Sequence, residues 1–117
     1  MRVNYLGPLC AGIDHPALAG YDLTRFAPTC YLVEVSDEAG VAGPLMEGDL
    51  LVVDEQKTAQ HADLVIVDVE GGQRLFSSHR IGGQLWMIPP VDRSGSFPAR
   101  QSELRGVVVS QARQYAF

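Results

Sequence analysis

The feature that most constrains the fold is a series of short apolar runs separated by glycine turns. Leu64 to Glu70 leads through a double glycine into Arg74 to Ile81, and a second double glycine leads into Gln84 to Ile88. Paired glycines between such runs are typical of β-hairpins, because glycine readily adopts positive φ. Further predicted strands are Cys30 to Ser36, Leu50 to Val53 and Glu103 to Gln111. Strands at this spacing predict a mainly β, largely antiparallel domain.

Length and charge narrow the class of protein. The chain has 117 residues, enough for one domain, and a net charge of −5. An acidic surface disfavours phosphate backbones, so we expect no direct nucleic-acid binding. No apolar run approaches a membrane span, and the N-terminus lacks the apolar core of a signal peptide. We therefore expect a cytoplasmic protein with no membrane partner.

The first 20 residues show no clear hydrophobic period. Helix and strand breakers recur throughout them, at Gly7, Pro8, Gly12, Pro16 and Gly20. Such spacing disfavours a helix or a long strand. We predict an N-terminal arm over residues 1–20, lying on the domain or on a partner, followed by a β domain over residues 21–117.

The stretch from Val33 to Asp54 organises the domain. Tyr31, Val33 and Val35 alternate onto one face of a predicted strand, which then enters an acidic, glycine-rich connection. The chain returns through a turn into the apolar strand that ends at Asp54. Loops held by a rigid scaffold often carry function, so this connection is the first candidate site.

This frame resembles the LexA/UmuD-type self-cleaving peptidase domain of the S24 peptidase family. The matching residues are Ser36, Gly43, Gly48-Asp49, Leu50 to Asp54 and, near the end, Gly106-Val107-Val108. The resemblance covers roughly Gly12 to Arg113 and implies a fold of curled antiparallel sheets with little helix. The layout is closer to UmuD, because the eleven residues before Gly12 cannot form a helix-turn-helix.

The resemblance also locates the family's catalytic dyad, a serine activated by a lysine. The serine position falls on Ala39, and the lysine position falls on Phe76, or on Ser77 if one residue is inserted. A serine hydroxyl needs an adjacent base, and a lysine serves only when burial keeps it neutral. The only lysine is Lys57, in a polar loop. We therefore predict a catalytically inactive pseudopeptidase.

The family's cleavage site lies in an arm of this kind. Cys10-Ala11-Gly12 stands at the corresponding place, with Ala11-Gly12 as the candidate bond. Two interpretations remain open: a vestigial cleavage site, or a small-residue pair of the sort common in loops.

Other reactive arrangements receive less support. Ser77, Ser78 and His79 suggest a Ser/His pair with Asp63 or Asp68, but Ser78 and His79 are neighbours on a strand and point to opposite faces. A thiol protease or a metal site is also disfavoured, since neither grouping matches a standard spacing. The residues considered for those were Cys10, Cys30, Asp14, His15, His61 and Asp63. We expect no cofactor and no metal.

Function is inferred from the resemblance. Relatives of this type dimerise, and UmuD-like ones join an error-prone DNA polymerase and contact the RecA filament in the SOS response. The leading hypothesis is a non-catalytic homodimer acting by protein contact in translesion synthesis, with Leu104 to Ser110 and the tail Tyr115 to Phe117 as interface candidates. Alternatives are a hydrolase with an unconventional nucleophile and a repressor-type dimerisation module.

Overall fold

Ten β-strands form most of the described chain. The computed structural model describes residues 1–9, 26–36, 41–42, 45–89 and 95–112. The strands are β1 (Val3–Pro8), β2 (Cys30–Val35), β3 (Val41–Ala42), β4 (Leu45–Met46), β5 (Leu50–Asp54), β6 (Leu64–Val69), β7 (Gly72–Ile81), β8 (Gln84–Ile88), β9 (Phe97–Pro98) and β10 (Leu104–Ala112), with a 3-10 helix at Gln101–Glu103. The mainly antiparallel fold that the sequence predicted is confirmed. No helix in the described ranges is long and apolar enough to cross a membrane.

Several sequence predictions concern residues that the structure does not describe. These are the cleavage-site segment Cys10-Ala11-Gly12, the nucleophile position Ala39, the segment before Phe26 and the tail Tyr115 to Phe117.

Eight of the strands pair in one antiparallel sheet, in the order β1-β2-β5-β10-β6-β7-β8-β9, and β3 and β4 pair separately. The sheet curls into a half-barrel. Its first strand approaches β7, since Arg2 bridges Arg74 and the Leu75 amide donates to the Met1 carbonyl at 2.8 Å. The six strands from β1 to β7 in this order thus enclose a concave side.

The concave side holds the main apolar cluster. Its buried members come from both ends of the curl and are Val3, Tyr31, Val33, Val35, Leu45, Leu51, Val53, Ile66 and Leu75. The predicted alternation in β2 is confirmed, because Tyr31, Val33 and Val35 enter this cluster, whereas Leu32 packs in another on the opposite face. Strands buried on both faces explain why β5 is a continuous apolar run.

The β6–β7 hairpin was predicted in the right place but with the wrong turn residues. Val69 pairs with Gly72, so Glu70 and Gly71 form the two-residue loop. Positive φ occurs at Glu70 (52°) and Gly71 (79°), and Gly72 already belongs to β7. In the β7–β8 hairpin the predicted glycines are confirmed, with φ of 59° at Gly82 and 81° at Gly83.

Four strands were missed, and the interface candidate at the closing strand lies inside the sheet. Two of the four are the short strands β3 and β4, within the connection that follows β2. Val3–Pro8, within the predicted arm, is a strand that pairs with β2 and bends between Tyr5 and Gly7. Phe97–Pro98, within a predicted loop, pairs with β8. The closing strand β10 pairs with β6 over Leu104 to Val107 and with β5 over Val107 to Ala112, so it lies between two strands of the sheet. The sheet ends instead at β1 and β9.

Candidate functional site

Phe76, at the ungapped lysine position, is a core residue. Its side chain is 5% exposed and lies opposite Val65 of β6. Its ring meets the Phe97 ring edge to face, with centroids 5.1 Å apart and planes at 85°. An aromatic pair in an apolar cluster stabilises the outer side of the sheet. This position supplies packing and no titratable group.

Ser77, the alternative lysine position, belongs to a polar pair. It is half-buried and lies in register with Leu64 of β6 and Ile88 of β8. Its Oγ is 3.0 Å from Nε2 of His79. Residues two apart on a strand share a face, so the pair follows directly from the strand's period. A hydroxyl in hydrogen-bond contact with an imidazole is the arrangement of a nucleophile and its base.

His61 extends this pair on the solvent side. Its ring meets the His79 ring edge to face, with centroids 5.0 Å apart. Its Nδ1 accepts a hydrogen bond from the Arg80 amide at 3.0 Å. An accepting Nδ1 carries no proton, so a neutral His61 holds its proton on Nε2. Ser77, His79 and His61 together form what we call the Ser–His cluster.

Ser78 has a structural role on the opposite face. It is fully buried, and its Oγ donates to the carbonyls of Gln60 (2.6 Å) and Asp63 (3.1 Å). Its amide also donates to the Asp63 carbonyl, at 2.7 Å. The prediction that Ser78 and His79 face apart is therefore confirmed. The same period-two reasoning, applied to Ser77, would have found the pair that the sequence interpretation missed.

The two aspartates considered as partners of this histidine are engaged elsewhere. The Asp63 carboxylate accepts from the Gln60 amide at 2.8 Å, and the Asp68 carboxylate accepts from Arg105 Nε at 2.7 Å. Among the described residues, no carboxylate hydrogen-bonds His79, and no group of three potential metal ligands occurs. The cluster thus contains a nucleophile and a base, and no carboxylate in the described ranges orients the base.

Lys57 lies in the exposed turn after β5, as predicted. Its amide donates to the Asp54 carbonyl at 3.4 Å, and its carbonyl accepts from Gln101 Nε2 at 3.4 Å. Both contacts involve backbone atoms of Lys57. The residue is exposed, so its charge is solvated. Among the described residues, no serine hydroxyl is hydrogen-bonded to the Lys57 side chain.

Ser36 and Leu45 mark the two ends of the connection that carries position 39. That connection leaves β2 at Ser36, whose amide donates to the Arg2 carbonyl at 3.1 Å, and Arg2 bridges to β7. It returns at Leu45, which packs in the same concave cluster as Leu75. One end is thus linked to the first part of β7 through Arg2, and the other shares an apolar cluster with it.

Several LexA repressors are similar to this chain in sequence. No protein-family model matches the chain. A LexA repressor of Mycobacterium leprae is 30% identical over 86 residues, which is 74% of this chain and 37% of that protein. A LexA repressor of Corynebacterium efficiens is 26% identical, over 96% of this chain and 51% of that protein. A LexA repressor of Mycobacterium ulcerans is 29% identical, over 74% of this chain and 35% of that protein.

The chain is similar to LexA repressors. This similarity, together with the curled antiparallel sheet, supports a LexA/S24-like domain. The chain spans between 35% and 51% of the length of these three relatives. The similarity therefore concerns a domain and not the whole repressor.

Proposed function

We propose that the chain is a LexA/UmuD-type domain that acts by protein–protein contact and dimerisation, without a Ser–Lys dyad. The proposal rests on the side chains that occupy the two candidate lysine positions. Phe76 is packed against Phe97 in the core, Ser77 is hydrogen-bonded to His79, and Lys57 is exposed in a different loop. Neither candidate position offers an amine.

The physical argument concerns the cost of the missing base. A catalytic lysine must lose its proton near neutral pH, and only burial next to few compensating charges lowers its pKa that far. A buried phenylalanine instead contributes roughly 1.5–3 kcal/mol of burial to stability. The substitution at Phe76 therefore favours a stable scaffold over a reactive groove.

We infer the partners from the resemblance to LexA/UmuD-type domains. They are a second copy of the chain, an error-prone DNA polymerase subunit and the RecA filament, in a cytoplasmic SOS response that leads to translesion synthesis. The ends of the sheet at β1 and β9 are the edges available for pairing. Leu6 on β1 is exposed and adds apolar area to that edge.

Two binding measurements test this proposal. Sedimentation equilibrium should give the mass of a dimer, and the chain should co-sediment with RecA filaments formed on single-stranded DNA. A monomer at high concentration that also fails to bind filaments would contradict the proposal. A matched edge variant, Leu6→Lys, should weaken the dimer if β1 is the interface, whereas Ile81→Lys on the hairpin tip should not.

The Ser–His cluster favours a second candidate function, a serine hydrolase with Ser77 as nucleophile. Transfer of the Ser77 proton to His79 Nε2 would let Oγ attack an acyl carbon, with the histidine then protonating the leaving group. A fluorophosphonate probe followed by peptide mass spectrometry tests this function. Labelling of Ser77 that disappears in His79→Gln and persists in Ser102→Ala supports it, and an unmodified Ser77 contradicts it.

A further inference from the structure

A cleft lies beside the last residue of β1, the first residues of β2 and the residue that follows β5. Cys30 and Tyr31 of β2 line it, whereas Val35 at the other end of β2 pairs with Val3. The cleft has a volume of about 240 Å³. Its lining among the described residues consists of tyrosine, proline and charged side chains, chiefly Tyr5, Tyr31, Pro8, Pro28, Glu55 and Arg105.

An aromatic surface forms one wall of the cleft. The Tyr5 side chain is 55% exposed, and its ring centroid lies 5.4 Å from that of Tyr31, with the planes tilted by 55°. Tyr31 is buried, and its hydroxyl donates to the Arg105 carbonyl at 2.9 Å. The buried ring thus holds the exposed ring in place. A fixed, exposed tyrosine face attracts cations through its quadrupole.

The charges around the cleft are mainly negative. Glu55 is exposed in the lining, and the neighbouring Asp54 carboxylate accepts from Thr29 Oγ1 at 2.7 Å. Arg105 is paired with Asp68, with Nε and Oδ2 2.7 Å apart. The cleft lining thus carries one carboxylate, Glu55, and one guanidinium, Arg105, which is already paired with Asp68. Burial raises the pKa of the Tyr31 phenol most, and Glu55 and Asp68 raise it further, as expected in a negative field.

The wall of the cleft also contains a buried hydrogen-bond acceptor that has no donor among the described residues. Gln73 lines this cleft and a second one beside the β6–β7 turn. Its Oε1 is buried, and no donor in the described part of the chain pairs with it. An acceptor left unpaired in this way destabilises the folded state. A donor that enters the cleft and meets the amide after a small shift would remove that cost.

We propose that this cleft binds the guanidinium group of an arginine side chain on a partner protein. The planar group stacks on Tyr5 and donates paired hydrogen bonds to the Glu55 carboxylate. Arginine suits the site better than lysine, because its guanidinium is planar and weakly hydrated and presents five donors. The site depends neither on hydrolysis by the Ser–His cluster nor on dimerisation.

A titration with small probes tests the ligand chemistry. N-acetyl-arginine amide added to the ¹⁵N-labelled chain should shift the amide resonances of Thr29, Glu55 and Gln73 and the ring resonances of Tyr5. N-acetyl-citrulline amide has nearly the same shape without the charge, so it should shift them little. Equal shifts from both probes, or none from the arginine probe, would overturn the proposal.

Matched variants test the residues. Tyr5→Leu and Glu55→Gln should each raise the dissociation constant for N-acetyl-arginine amide by about threefold or more. Glu47→Gln removes an exposed carboxylate from the turn before β5, near Val35 at the other end of β2, and should leave the constant unchanged. An equal loss in Glu47→Gln would show attraction by net charge alone and contradict a built site. Dispersed amide spectra of the three variants confirm that each is folded.

Discussion

Ser77 Oγ lies 3.0 Å from His79 Nε2, on the strand where the resemblance to S24 peptidases places a lysine. The pair faces the concave side of the sheet, and His61 covers the solvent side of His79. A hydroxyl and an imidazole thus lie at or beside the position where the S24 family has a lysine. The consequences of this arrangement for stability and reactivity can be measured separately.

The hydrogen bond between Ser77 and His79 should be detectable as an energetic coupling. A double-mutant cycle with Ser77→Ala and His79→Gln, followed by urea unfolding, should give a coupling of about 0.5–1.5 kcal/mol. The expectation rests on the half-buried position of both side chains. Ser102→Ala with His79→Gln is the control cycle and should show none. A Ser77–His79 coupling near zero would mean that the bond does not form in solution.

Lysine substitutions should distinguish the two candidate lysine positions. Phe76→Lys removes the contact with Phe97 and buries an amine, so it should lower the free energy of unfolding by about 3–5 kcal/mol. Ser77→Lys starts from a half-buried site that already holds polar groups and should cost clearly less. Urea unfolding of both variants measures the difference. Equal costs would contradict the assignment of Phe76 to the core.

Gly106 should be intolerant of a side chain. Its φ is 152°, and a Cβ there would lie 2.5 Å from Val53 Cγ1 and 3.1 Å from the Asp54 carbonyl oxygen. Gly106→Ala should therefore lower the free energy of unfolding by about 1–3 kcal/mol. At Gly72 a Cβ meets no atom within 4 Å. Gly72→Ala is the matched control, and a comparable loss there would contradict this explanation.

Tyr31 should make the fold sensitive to alkaline pH. Burial, Glu55 and Asp68 raise the pKa of its phenol above the ordinary value of 10.0. The unfolded chain therefore loses this proton first, so stability is complete below pH 10.0 and falls as the pH rises towards the folded pKa. Between these two pKa values, one such group lowers the free energy of unfolding by about 1.4 kcal/mol per pH unit.

The variant Tyr31→Phe should lose less stability than the parent chain as the pH rises above 10.0. Urea unfolding at successive pH values measures the free energy of unfolding and hence this alkaline slope. The Cys30 thiol, whose pKa burial and Asp54 also raise, adds to the slope from pH 9.0. Both proteins are therefore compared in a Cys30→Ala background. Tyr5→Phe is the control and should retain the slope. An unchanged slope in Tyr31→Phe would refute the assignment.

Most of the sheet could be predicted from local pattern. The strands β2, β5, β6, β7, β8 and β10 lie within one or two residues of the predicted runs. They are long, apolar and bounded by turn residues, and both sides of the sheet bury them. The missed strand β1 contains Gly7 and Pro8, which bend it and end it, so local breakers concealed a strand that pairing with β2 stabilises.

Features that depend on strand order were less accessible. Nothing in Leu104 to Ala112 indicates that two neighbours flank it, because pairing partners are set by the whole topology. Phe97–Pro98 is too short for a periodic signal, and contact with β8 determines it. The Ser77–His79 pair was accessible in principle, since residues two apart share a face. The sequence prediction considered only whether the adjacent residues Ser78 and His79 face each other.

The most direct test of the central claim is intact-mass spectrometry of the full chain after incubation at alkaline pH, below the onset of Tyr31 ionisation. An S24 peptidase with an intact Ser–Lys dyad serves as the positive control. A chain without that dyad should keep a single intact mass throughout. Fragments from a break between Ala11 and Gly12 would contradict the non-catalytic proposal, and their loss in Ser36→Ala or Ser77→Ala would identify the nucleophile.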